Sequence, residues 1–220
     1  MNEEPAPTNL KELLVALAQG ARSFNSLHLE NLDGVKINFS NCDLKGSWFK
    51  EARFGHADFS NANIQGCCFQ QAILWGANLS GINASQSFWQ EADLSGSRLQ
   101  RADLSDSFMH KCCLRGVLAA NSNWYSTRLV EADFRSSLDQ LTDLGESNFE
   151  NSDLSFALLQ GANLHGSNMK GCCLYGTNLS EADLNKTDLS GCDLRETKLK
   201  KSQLTTSKLE GAILPRSFMS

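Results

Sequence analysis

The sequence predicts an all-β solenoid, on three observations. Large apolar residues recur every five positions: counting from Phe39 to Leu214 at that spacing, 33 of 36 centres are Leu, Phe, Met, Trp or Ile. Two residues before each centre, Ala, Ser, Cys or Thr stands in 33 of 36 blocks. The residue between is commonly Asp or Asn, and the two that follow are rich in Ser, Gly, Gln, Lys and Glu. A period of five fits neither the 3.6 of a helix nor the plain 2 of a strand. Each block is therefore one short strand-like side (small inward, polar outward, large inward) followed by one corner built of turn residues. Stacked sides give a column of Leu and Phe, lined by small residues where there is less room. The exceptions at the centres are Ala84, Ala119 and Asp139; at the small position they are Ile37, Ile82 and Val117.

The elements follow in chain order. Residues 1–8 read as a flexible N-terminus. Residues 9–20 read as an amphipathic capping helix, with Leu10, Leu13, Leu14 and Leu17 apolar, Thr8 as N-cap and Gly20 just past the end. Such a helix should lie across the open end of the first coil, which otherwise exposes apolar centres and a strand edge. Residues 21–36 form an imperfect lead-in, with Phe24 and Leu29 in register and Gly34 out of it. Residues 37–214 are the repeat. Residues 215–220 are a tail with no helix pattern, so either Phe218 and Met219 fold over the last coil or a second copy covers it.

Blocks such as Ala92-Asp93-Leu94-Ser95-Gly96 and Ala162-Asn163-Leu164 carry an A-(D/N)-L-x-x pattern, and in this the chain resembles the pentapeptide-repeat family. The resemblance covers residues 37–214, about four fifths of the chain. It implies a right-handed quadrilateral β-helix with four blocks per coil. That gives about nine coils and a rod roughly 43 Å long at ~4.8 Å per layer. The family is abundant in bacteria, so the resemblance also implies a bacterial origin.

Composition narrows the function classes. Twenty Lys and Arg against 25 acids give a net charge of −5, too mild and of the wrong sign for direct nucleic-acid binding. No apolar stretch reaches 18 residues, so no membrane insertion is expected. The start, MNEEPAPTN, lacks the basic region of a secretory signal. Eight cysteines without such a signal point to a reducing, cytoplasmic setting. Cys67-Cys68, Cys112-Cys113 and Cys172-Cys173 are adjacent pairs, one thiol inward and one outward, so neither pair member helps the other bind a metal. They read as small core residues, although Cys172 and Cys192 should stack closely enough for a disulfide. His28, His56, His110 and His165 fall in different columns. Asp133 and Asp153 should share a column in adjacent coils. No nucleophile elbow, P-loop or zinc motif is present, and a Leu/Phe-filled interior offers no deep pocket. No enzyme, cofactor or metal site is therefore expected.

Function should lie where outward positions depart from the polar rule. With 20 residues per coil, one column runs Asp43, Asn63, Asn83, Asp103, Asn123, Asp143, Asn163, Asp183 and is ordinary. A second runs Trp48, Cys68, Phe88, Phe108 and then Arg128. A third holds Leu118, Leu138 and Leu158, with Leu141 and Phe156 nearby. These stripes form a candidate partner-binding face. Alternatively, Leu118 and Leu138 turn inward to fill the space left by Ala119 and Asp139. Charge is uneven as well. Glu131, Asp133, Asp143, Glu146, Glu150 and Asp153 form an acidic belt, and residues 185–216 carry seven Lys/Arg against four acids. The expected function is a non-enzymatic scaffold for a protein partner of unknown identity, with a homodimer through the C-terminal coil as a further expectation. The alternative, which the resemblance supplies, is a DNA mimic that binds DNA gyrase and protects it from quinolones. The basic C-terminal end and the apolar stripes depart from that subgroup.

Overall fold

The structure, a computed structural model, describes residues 6–218. The chain winds into a right-handed four-sided β-helix whose sides pair in parallel with the coil above and below. The first side stacks Ser23, Asp43, Asn63, Asn83, Asp103, Asn123, Asn148, Asn168, Asp188 and Lys208. The second begins at His28, the third at Asp33 and the fourth at Asn38, each stepping by 20 residues over most of the rod. Pairing therefore starts at Ser23, inside the segment expected to be an imperfect lead-in. Gly34 is in register after all. It occupies a centre, and the Phe54 ring of the next coil fills the space, 2.6 Å from where a Cβ would stand.

The block chemistry has clear local causes. Most corners close with a bond from a small-position amide back to the preceding centre, as in Cys42 N to Phe39 O at 3.0 Å. The last corner residue is left-handed, for example Asn41 at φ 57. The outward Asp or Asn accepts from the amide two residues on, as Asn38 Oδ1 does from Ser40 N at 2.9 Å, and side chains of successive coils join, as Asn63 Nδ2 does to Asp43 Oδ1 at 2.8 Å. The inward Ser, Thr and Cys donate to the centre carbonyl of the coil below: Ser47 to Phe24 at 3.1 Å, Cys67 to Leu44 at 3.0 Å, Thr127 to Leu104 at 2.9 Å. Small polar residues are thus tolerated inside because nearly all are bonded; Ser97 Oγ, buried without a hydrogen-bond partner, is an exception.

The centres make one continuous core, aromatic near the N-terminus, where Phe39, Phe49, Phe54, Phe59, Phe69 and Trp89 pack on one another. Two of the three exceptional centres are compensated one block later. Ala84 is followed by Trp89 and Ala119 by Trp124, both fully buried. Each indole N–H donates to a serine hydroxyl, Ser87 or Ser122, which donates to the alanine carbonyl. The extra indole volume sits beside the missing leucine, so Leu118 is not needed inside.

The third exception breaks the expected stacking. Leu118 pairs with Asp143, Asn123 with Asn148, Arg128 with Asp153 and Asp133 with Leu158, so this one coil is 25 residues long. The block around Asp139 is extruded at the corner between the third and fourth sides, since a carboxylate at a centre would be buried without a partner. Beyond it every column shifts by one side. Asp143, Asn163 and Asp183 belong to the fourth side, not the first. Asp133 and Asp153 are on different sides, and the third stripe does not exist as a stripe.

At the N-terminus, helix α1 spans Leu10–Ala18. Its N-cap is Asn9 rather than Thr8: Asn9 Oδ1 accepts from Glu12 N at 3.0 Å, while Thr8 N and Oγ1 donate to Glu12 Oε2. Gly20 N bonds to Leu17 O and Ala21 N to Ala16 O, with Gly20 at φ 91, which ends the helix as a Schellman turn. Leu13 is completely buried in the core cluster. At the other end a 3-10 turn, Lys201–Leu204, replaces a fourth-side rung, and a second, Arg216–Phe218, brings Phe218 against the core. Met219, like residues 1–5, lies outside the described residues.

Candidate functional site

The thiols of Cys67, Cys112, Cys172 and Cys192 donate to main-chain carbonyls, and all eight cysteines are free. Burial pushes the Cys67 thiol up to about 12 and the Cys112 and Cys172 thiols well up, so they stay protonated. Among the described residues no three His, Cys, Asp or Glu side chains are grouped to hold a metal. An open groove of about 870 Å³ lies between α1 and the first coil, edged by Thr8, Glu12, Gln19 and Asn25.

On the second side the structure brings the aromatic column together. Trp48 stacks on His28, with ring centroids 5.9 Å apart and planes 19° apart. Cys68 follows, covered, and then Phe88 and Phe108 stack at 5.3 Å and 7°. The Arg128 guanidinium closes the ladder 5.1 Å above the Phe108 ring. Trp48 is 46% and Phe88 38% exposed. The corners flanking Cys68 and Phe88 carry Gln65, Gln70, Gln71, Gln86, Gln90 and Glu91, so an apolar strip runs between polar rims. Six consecutive rungs, from His28 to Arg128, take part.

The other predicted apolar residues are dispersed. Leu118 is half-buried on the fourth side and Leu158 half-buried on the third. Leu138 points away from the rod at the tip of the extruded block, 105% exposed, with Leu141 71% exposed at its base. The inward orientation weighed for Leu118 and Leu138 is thereby overturned. Phe156 stands at the corner between the second and third sides with φ 59, its ring edge-on to Tyr175 and directly over Gly176. Only a residue without Cβ leaves that space: a Cβ on Gly176 would lie 2.7 Å from the ring.

The acidic residues fall within the long coil and encircle it instead of forming a patch. Glu131 lies 3.8 Å from Lys111. Asp133 is gripped by Arg115 at 2.6 Å and Arg135 at 2.8 Å. Burial opposes its ionisation, yet hydrogen bonds from Arg135 and Arg115 hold its carboxyl below the usual carboxylate range. Asp143 accepts from Asn163, Glu150 from Asn168 and Asp153 from Ser155. Glu146 lies over Gly166.

One exposed patch escaped the sequence reading. Val35, Ile73 and Trp75 are exposed around the third side and its following corner. The Trp75 indole meets His56 edge-on at 4.1 Å and lies over Gly55. The signal was available: Val35, Gly55 and Trp75 occupy one corner column at 20-residue spacing.

The comparisons with known proteins agree with this architecture. The family model for pentapeptide repeats matches residues 37–76, 77–116, 141–176 and 172–211, eight copies in all. The match lapses over residues 117–140, which include the extruded block. No curated protein matches. Among solved structures the chain is similar to HetL, from the cyanobacterium Nostoc sp. strain PCC 7120, a pentapeptide repeat protein involved in heterocyst differentiation regulation. That match has 30% identity, covers 95% of this chain and 94% of that one, and has a TM-score of 0.78. QnrB1, a plasmid-mediated fluoroquinolone resistance protein, matches at 20% identity over 89% and 94% of the chains with a TM-score of 0.34. Rfr23 from the cyanobacterium Cyanothece 51142 matches at 16% identity over 94% and 95%, with a TM-score of 0.15.

Proposed function

The chain belongs to the pentapeptide-repeat family, and on that premise we propose that it is a non-enzymatic interaction scaffold, a rigid rod that offers its second side to a protein partner. The observation that carries this reading is the outward ladder of exposed Trp48 and Phe88 and half-buried Phe108, bridged by the covered Cys68. Aromatic side chains pre-ordered by stacking lose little freedom on binding, and large rings are enriched at the cores of interfaces. HetL's involvement in regulation supports a regulatory role exercised by binding. Free thiols throughout fit a reducing compartment such as the cytoplasm; among the described residues no helix is long and apolar enough to cross a membrane.

The gyrase-protecting alternative would need a continuous anionic face. Here the acids circle a single coil, two arginines neutralise Asp133, and the C-terminal end is basic. We propose in addition that a second copy covers the C-terminal coil, because its centres Leu199, Leu209 and Leu214 are only partly buried and Ile213 is 47% exposed.

The test is an affinity pull-down from the cell of origin with wild type and with Phe88→Asp/Phe108→Asp. The double variant should keep its thermal unfolding transition and lose the partner. A variant that unfolds would show the two rings to be core. One that retains the partner would remove the second side from the reading. In a gyrase supercoiling assay with a quinolone the protein should have no effect; protection would favour the mimic.

A further inference from the structure

The extruded block is built rather than slack. Ser137 N donates to Gln140 O at 2.9 Å and Gln140 N to Ser137 Oγ at 3.1 Å, which closes the loop on itself. Thr142 Oγ1 donates to Arg135 O at 3.1 Å and accepts from Gly116 N at 3.0 Å, while Thr142 N donates to Ser136 Oγ at 3.2 Å. Gln140 Nε2 donates to Gly116 O of the coil below. At the base, Arg135 is locked to Asp133, which also takes Arg115.

All this anchoring holds out an apolar tip. Leu138 is completely solvated and Leu141 largely so, whereas the loop needs neither for its own bonds. A spacer with no further role would be made of Gly, Ser or Asn. Beside Leu138 stands Asp139, exposed and in no ion pair among the described residues. An unpaired anion next to a solvated leucine defines the complement: an aliphatic pocket with a cation on its rim.

We propose that the extruded block is a docking knob. Leu138 enters an aliphatic pocket of a protein partner, and Asp139 meets a lysine or arginine at the edge of that pocket. The proposal deepens the scaffold reading and rests on it. It places a second, specificity-setting contact at the corner between the third and fourth sides, away from the second-side ladder.

The insertion is one whole block, so it can be removed without disturbing the register. Deleting residues 137–141 joins Ser136 to Thr142 and restores a 20-residue coil, with Ser136 in the last corner position that Ser26 and Ser126 already fill at positive φ. The test is photo-crosslinking in the cell of origin, with p-benzoylphenylalanine replacing Leu138 and, as control, replacing the exposed corner residue Arg101. Position 138 should give one discrete product whose crosslinked peptide carries aliphatic residues and a Lys or Arg. Asp139→Lys should cut its yield about tenfold, and reversing that partner cation to Glu should restore it. The 137–141 deletion should unfold like wild type and lose the partner. Leu138→Asp/Leu141→Ser makes the same comparison on an intact backbone should the deletion fail to fold. The knob is overturned by a position-138 yield no greater than at Arg101, by indifference to Asp139→Lys, or by undiminished partner binding after loop removal. If Phe88→Asp/Phe108→Asp releases the partner while the loop variants hold it, the ladder stands and the knob falls; the reverse keeps the knob and removes the ladder.

Discussion

The two ends of the rod close by different means. At the N-terminus α1 drives Leu13 into the first coil until it has no exposure, with Leu10, Ala16 and Leu17 packed beside it. At the C-terminus no α-helix among the described residues caps the last coil, which has only the 3-10 turn Arg216–Phe218. Gln203 Nε2 donates to Leu179 O and Ala182 O, both at 2.9 Å, which satisfies part of the open strand edge, and Phe218 leans on centres that stay partly wet. A solenoid end has two separate needs, apolar cover and satisfied backbone groups. The N-terminal end meets the first fully; the C-terminal end meets the second with one side chain and leaves the first incomplete.

The largest expected effect lies at the better-covered end. Leu13→Ala should cost about 2–5 kcal/mol, the range for a fully buried leucine, in urea unfolding. Leu214→Ala, at a partly exposed centre, should cost about 1 kcal/mol. Equal losses at the two positions would abolish the contrast. Next comes Gly34, where the first coil cedes a centre to Phe54. Gly34→Ala places a methyl group 2.6 Å from that ring and should destabilise by about 1–3 kcal/mol. A neutral Gly34→Ala would mean that the first coil is loosely packed beneath α1.

The C-terminal deficit predicts association. In light scattering after size exclusion, the apparent mass should rise with concentration toward that of two copies. Ile213→Asp should hold the protein at one copy, because a charge on the uncovered rim would be desolvated by a second chain. Leu14→Asp, on the outer face of α1, should change nothing. Association that responds to Leu14 and not to Ile213 would move the contact to the other end.

Much of this fold was legible because the five-residue period records which side chains share the interior. The extruded block was not, for a physical reason. Inserting one whole period leaves the phase of every later centre unchanged, so the register reads as unbroken while the stacking partners shift by one side. Only the chemistry of Asp139 betrays the event, since a carboxylate cannot take a leucine's place in the column. The same shift explains why Leu118, Leu138 and Leu158 looked like a stripe. The ladder from Trp48 to Phe108 was readable because it lies before the insertion. Trp75 was missed because a corner residue is no part of the five-residue inward pattern, and only its 20-residue spacing from Gly55 and Val35 marks it.

The smallest effect concerns acid. At the C-terminal end the Arg195 guanidinium, bonded to Asp193 at 2.9 and 2.7 Å, holds that carboxyl below the usual carboxylate range, and Ser190 with Lys208 does the same for Asp188. A carboxyl depressed in the folded state adds stability above its unfolded value of about 3.9, and loses it as pH falls through the folded value. Asp193→Asn should therefore be slightly less stable than wild type at pH 7, with the two converging near pH 2. The pair is largely solvent-exposed, which keeps the difference small and removes most of it in 1 M salt. The N-terminal counterpart is Glu12, lowered by hydrogen bonds from Thr8, and Glu12→Gln should converge with wild type in the same direction. Thermal unfolding across that pH range reads both ends at once, and a gap that widens toward acid would reverse the sign assigned to these carboxylates.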